Sequence, residues 1–213
     1  AVSSGALNID ATLRTGSTAV SGGAVAVNAT GTLASDTLDI TSGTVTSVVG
    51  GAINAPAVNV SGTGGLTAGG GLTAAAVNLT GGTADFDGGA TLAVGEMNID
   101  GGTVNTTGIA GVGKLTLKSG DLSVTDGDVT TTGDFALKGG TVTKLGAGTA
   151  VLSSSGGNLK ANGSNLDVQN GTLQLNIAAG GQLDDTVAYW SFEAGAGAVA
   201  FDEARGFDGN IVG

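Results

Sequence analysis

An apolar-x-apolar triplet recurs along this chain at intervals of about 20 residues, usually followed by glycine two or three positions later. Copies begin at Leu7, Leu38, Val58, Val77, Met97, Leu115 and Phe135, and from Leu38 onward the steps are 20, 19, 20, 18 and 20. The 31-residue gap between Leu7 and Leu38 takes one further copy at Val27, followed by an 11-residue unit. Within a unit the alternation has period two, as in Val77-Asn78-Leu79 and Thr83-Ala84-Asp85-Phe86, and glycine pairs such as Gly81-Gly82, Gly101-Gly102 and Gly139-Gly140 interrupt it. Alternation predicts strands and the glycine pairs predict turns. A unit this short cannot bury its own apolar face, whereas units stacked with their strands in register can. The pattern therefore predicts an all-β fold, a right-handed parallel β-helix (β-solenoid) of about 19–20-residue coils, the hand following the crossover preference of parallel strands. Residues 7 to about 155 should form roughly eight coils, each rising about 4.8 Å.

Stacking turns positions into columns. If the first and third triplet positions point inward, Ile40, Val60, Leu79, Ile99, Leu117 and Leu137 form one inward column. The second position then forms an outward ladder of Asn8, Asn28, Asp39, Asn59, Asn78 and Asn98, whose amides can hydrogen-bond from coil to coil. The fourth position sets Asp100 beside Lys118 of the next coil, an exposed pair worth under about 1 kcal/mol.

Composition narrows the functions open to such a stack. The 213 residues include 42 Gly, one Pro and 3% aromatics, so the core must come from Val, Leu, Ile and Ala, and 40% apolar content argues for a packed protein over a Gly-rich linker. Eighteen acids against seven scattered bases give a net charge of −11, which excludes nucleic acid as a natural partner. No apolar run approaches a membrane span of about 20 residues, and the first residues lack the pattern of a signal peptide, as expected of a mature or trimmed product. Without His there is no imidazole base, no Ser-His-Asp triad and no His-ligated zinc, and without Cys no disulfide or thiolate site.

Residues 140–176 read GTVTKLGAGTAVLSSSGGNLKANGSNLDVQNGTLQLN. Gly140, Thr141, Lys144, Gly146, Gly148, Thr149 and Leu152 at the opening, with Gly171, Thr172, Leu173 and Gln174 at the close, resemble the autotransporter-associated β-strand repeat. The resemblance implies the right-handed β-helix passenger of a large bacterial surface or secreted protein. From Val187 a second segment, VAYWSFEAGAGAVAFDEARGFDGNIVG, is similar to the opening of a laminin-G or concanavalin-A-like lectin domain through Ala188, Tyr189, Trp190, Phe192, Asp202, Gly206, Gly209 and Asn210. Residues 187–213 are too few for a whole jelly roll, and no complete lectin site is present. The organisation expected is solenoid repeats over 1–139, the repeat-like segment over 140–182 continuing them, and an incomplete lectin-like strand segment or cap over 183–213.

Candidate chemistry is sparse. Asp85, Asp87, Asp126 and Asp128 carry the hard oxygens that suit calcium, but they equally fit solvated turns of an acidic surface, and the nonapeptide Gly-rich calcium repeat is absent. Tyr189 and Trp190 could stack on a sugar, although an alternating strand that buries them is the simpler reading. Sugar-cleaving β-helices need paired acids and a basic partner. The only arginines, Arg14 and Arg205, stand far apart.

No catalytic residue and no cofactor other than calcium is therefore expected, and the protein is expected not to be an enzyme. The reading is a secreted or surface-exposed structural protein, a rigid stalk or filament-forming solenoid. The alternative is an adhesin that binds glycan or partner surfaces, and a polysaccharide-degrading β-helix ranks last. Because repeats start close to Ala1 with nothing to cover the first strands, head-to-tail association of copies is expected, with Val187, Tyr189, Trp190 and Phe192 as the docking strand.

Overall fold

The computed structural model describes residues 1–176 apart from 88 and 162, together with the short pairs 199–200 and 209–210. Among the described residues there is no helix, and 19 strands join one sheet in which every pairing is parallel, wound as a β-solenoid of about eight turns. Val199–Ala200 and Gly209–Asn210 form a separate antiparallel pair.

Each turn has three faces. Face 1 stacks Ala6–Ile9, Ala24–Val27, Thr44–Ser47, Gly65–Ala68 and Thr83–Phe86, then segments 103–106 and 121–124, then Thr141–Lys144 and Asn165–Val168. Face 2 runs from 12–15 through Ala52–Asn54 and Val129–Thr131 to Thr149–Ser154 and Thr172–Asn176. Face 3 runs from 17–20 through Ala57–Val60 and 76–79 to Phe135–Leu137 and Leu159–Ala161. A coil is one pass over faces 1, 2 and 3, so coil 7 spans 121–137, coil 8 spans 141–161, and coil 9 begins at Asn165.

Alternating side chains fill the interior, and the expected inward column is present. Ile40, Val60, Leu79, Ile99, Leu117 and Leu137 follow one another in register on face 3, and all are buried. Outside them runs an amide ladder, in which Asn59 Nδ2 donates to Asp39 (2.7 Å), Asn78 to Asn59 (3.0 Å) and Asn98 to Asn78 (3.1 Å). The same device recurs on face 1, where Asn105 donates to Asp85 at 2.7 Å. Lys118 and Asp100 lie 3.6 Å apart, both about half exposed, although a register shift after Ile99 places Ser119 opposite Asp100.

Glycine closes the turn from face 3 back to face 1. At Gly82 the backbone has φ +70°, and a Cβ would lie 2.1 Å from the Gly64 carbonyl of the coil below. Both the left-handed conformation and the contact between coils exclude a side chain.

The structure corrects the phase of the first copies. Leu7, Asn8 and Ile9 lie on face 1, opposite Val25, Ala26 and Val27. The segment beneath Leu38-Asp39-Ile40 is Thr18-Ala19-Val20. Asn8 and Asn28 therefore do not belong to the Asn59 ladder, which stops at Asp39 over Ala19, and there is no 11-residue coil. Three strands per turn share one alternation, so an apolar triplet does not identify its face. The true copy was disguised by Thr18, buried where later coils have Leu or Val, with its hydroxyl unpartnered.

Candidate functional site

The acids singled out in the sequence do not converge. Asp85 holds the Asn105 amide on face 1, and Asp87 sits in the following turn, where its carbonyl accepts from the Ala90 N–H (2.8 Å). Asp128 accepts from the Val151 N–H at 3.1 Å. Among the described residues no three Asp or Glu side chains group to hold a metal. Val187, Tyr189, Trp190 and Phe192 lie outside the described residues.

Asp126 has a different setting. It stands in the turn after face 1 of coil 7, and its Oδ1 accepts from Lys144 Nζ at 3.0 Å and from the Gly148 N–H at 2.7 Å. Lys144 ends the face 1 strand of coil 8, where alternation from buried Val142 turns its side chain inward. The chain enters the core completely, its relative exposure 0% against 50% for Asp126. Below it in the column lies Val124 and above it Val168. Burying an ammonium among valines is costly unless the charge is paired and every N–H is satisfied. Here all three N–H donors are used, on the Asp126 carboxylate, the Thr125 carbonyl (2.6 Å) and the Gly146 carbonyl.

This geometry explains the spacing of Lys144-x-Gly146-x-Gly148. Gly146 lies against the carboxylate so closely that a Cβ would fall 2.3 Å from it, and Gly148 brings its N–H to the same oxygen. The turn of coil 8 thus wraps the acid of coil 7. The Lys144 hydrogen bond, followed by that from Gly148, holds the Asp126 carboxyl below the usual aspartate range.

Two other features of the surface carry polar chemistry. Lys114 and Glu96 form an exposed pair at 3.5 Å. At the corner between faces 2 and 3, an open groove of about 530 Å³ is lined by Arg14, Thr15, Ser35, Asp36, Asn54 and Pro56, where Gly16 and Pro56 mark the bend. Among the described residues no helix is long and apolar enough to cross a membrane.

The inward Lys144 was within reach of sequence reasoning, because Thr141-Val142-Thr143-Lys144 alternates and Val142 is apolar. Asp126 as its counter-ion was not, since the two are 18 residues apart and meet only when coils 7 and 8 stack. Comparison of the chain with family models, with curated proteins and with solved structures gave no match.

Proposed function

We propose that this protein is a non-enzymatic structural element of the bacterial cell surface or extracellular matrix, a rigid solenoid that serves as a stalk or assembles into filaments. The observation that carries this reading is the unbroken stack itself. One parallel sheet runs through the described coils, its interior filled by continuous apolar columns and its exterior tied by side-chain ladders. Such an object resists bending because each coil is bonded to the next along all three faces. The chain has no His, so histidine-dependent chemistry is closed to it.

Filament growth would extend the parallel sheet along the axis of the solenoid. Among the described residues, Ala6–Ile9 pairs on one side only, with Ala24–Val27, and Asn165–Val168 pairs on one side only, with Thr141–Lys144. Open parallel edges are templates for another strand, and a heterologous contact of that kind propagates. The docking strand we assign is Val187–Phe192. Negative-stain microscopy and light scattering of the 213-residue chain test the reading. Fibres that disappear on deletion of residues 186–213 support it, whereas a chain that stays monomeric at high concentration refutes filament assembly.

A second reading, an adhesin for glycans, is favoured by the Arg14–Asp36 groove, which offers a guanidinium, a carboxylate and the Asn54 amide on one ledge. Binding by the soluble monomer on a glycan array, lost in Arg14→Ala, would select it.

A further inference from the structure

We propose that Lys144 and Asp126 form a latch that holds coils 8 and 9 on coil 7, and that it opens when the carboxylate loses its charge. The inward column on face 1 reads Phe86, Thr106, Val124, Lys144 and Val168. All of these are uncharged except one. At the boundary between coils 7 and 8, therefore, the core is closed by an ion pair where every boundary below it is closed by uncharged side chains.

Among the described residues Asp126 is the only anion bonded to the buried ammonium, the other two acceptors being the neutral carbonyls of Thr125 and Gly146. The remaining charged groups nearby do not replace it. Asp128, in the same turn, is engaged by the Val151 N–H. Asp167 lies beside Thr143, on the opposite side of its strand from Lys144 by alternation. The turns 106–108 and 145–148, which flank Asp126 below and above, carry no ionisable side chain.

Discharging Asp126 leaves a buried ammonium between Val124 and Val168 with two neutral acceptors. The ammonium recovers its solvation by lifting the turn 145–148 and the strand that carries it. Among the described residues little above opposes that movement, because the face 1 strand of coil 9 is exposed throughout and Leu166 and Val168 keep 44% and 47% of their surface. The hydrogen bonds that the Gln169 N–H donates to the Lys144 carbonyl and the Thr172 N–H donates to the Gly148 carbonyl would go with it.

The direction with pH is fixed by the depressed Asp126 pKa. A carboxyl whose folded value lies below its unfolded one stabilises fully above the unfolded value of about 3.9 and loses that contribution as pH falls below it. The latch is therefore shut at neutral pH and opens in acid.

Hydrogen exchange by mass spectrometry on the full chain, read as protection factors, tests this in two windows: 141–176 and the reference strand Gly71–Leu79. In the wild type, protection of 141–176 should fall by several-fold, up to about tenfold, relative to the reference between pH 6 and pH 3. Asp126→Asn should show that fall already at pH 6. Lys144→Met, which removes the buried charge and keeps the length of the side chain, should protect 141–176 at both pH values, and so should the double variant. The latch is overturned if Asp126→Asn keeps wild-type protection at pH 6, or if Lys144→Met retains the acid response. It is equally overturned if Asp126→Asn loses both windows together, which would make the pair a support of the whole solenoid.

Discussion

Coils 2 to 6 and coils 7 to 9 are joined by the same parallel sheet but by different chemistry. In the first group the steps between stacked residues are 18–21, as from Leu38 to Val58, Val77, Met97 and Leu115 or from Val45 to Leu66, and the outer contacts include amide ladders. In the second the step widens to 23 between Val129 and Leu152 and 24 between Phe135 and Leu159. The extra residues feed turns that are held by side chains bonding to backbone. Ser154 donates to Gly133, Ser164 to Gly139, and Asp128 and Asp134 accept from Val151 and Asn158. Both groups bury polar side chains, Ser35, Ser47 and Thr106 in the first and Thr131, Ser154 and Lys144 in the second, but only the second buries a charge, that of Lys144. The lesson is that a solenoid can keep its faces while admitting a charge and specific polar closure, provided each of these buried donors is answered from its own or the neighbouring coil.

The strongest way to break this comparison is to put a charge into the half whose core holds none. Val60→Asp or Leu79→Asp buries a carboxylate with no cation in reach and should cost more than about 3 kcal/mol. The equivalent Asn59→Asp or Asn78→Asp, on the outer ladder, should cost far less, about 1 kcal/mol for the lost hydrogen bond at Asn78 and somewhat more at Asn59, where the new carboxylate also meets that of Asp39. Chemical denaturation of the four variants separates the two sets. Equal losses would mean that inward and outward have been exchanged.

A smaller effect sharpens the contrast between backbone and side-chain closure. Gly82→Ala forces a left-handed residue against the Gly64 carbonyl, and should cost about 1–3 kcal/mol with no remedy from neighbouring substitutions. In Gly146→Ala the new methyl meets the mobile end of Asp126 instead of backbone. The carboxylate swings away and Lys144 loses its counter-ion, so exchange protection should fall over 141–176. In a Lys144→Met background the same substitution should have little effect.

The smallest change expected is at an exposed pair. Lys118→Ala removes the contact with Asp100, which is about half exposed, and should shift stability by less than about 1 kcal/mol, an effect that vanishes in high salt. Melting curves at low and high ionic strength check it.

The alternation of Val58-Asn59-Val60 or Met97-Asn98-Ile99 is a local property of the chain, and so is the spacing of glycine pairs between strands. Because a strand has period two and a glycine turn needs no partner, the sequence by itself determined that the chain is built of short strands, which side of each is apolar, that strands recur once per coil, and even that Asp100 meets Lys118. Which strand lies on which was decided only by the closed three-sided turn. Leu7, Val27 and Leu38 open triplets of similar pattern, yet the stack places Leu7 on face 1 and Leu38 over Thr18 on face 3. The partner of Lys144 was likewise set by stacking. A lysine 18 residues from an aspartate has no local reason to meet it, and only the rise of one coil brings the ammonium under the turn where Asp126, Gly146 and Gly148 close around it.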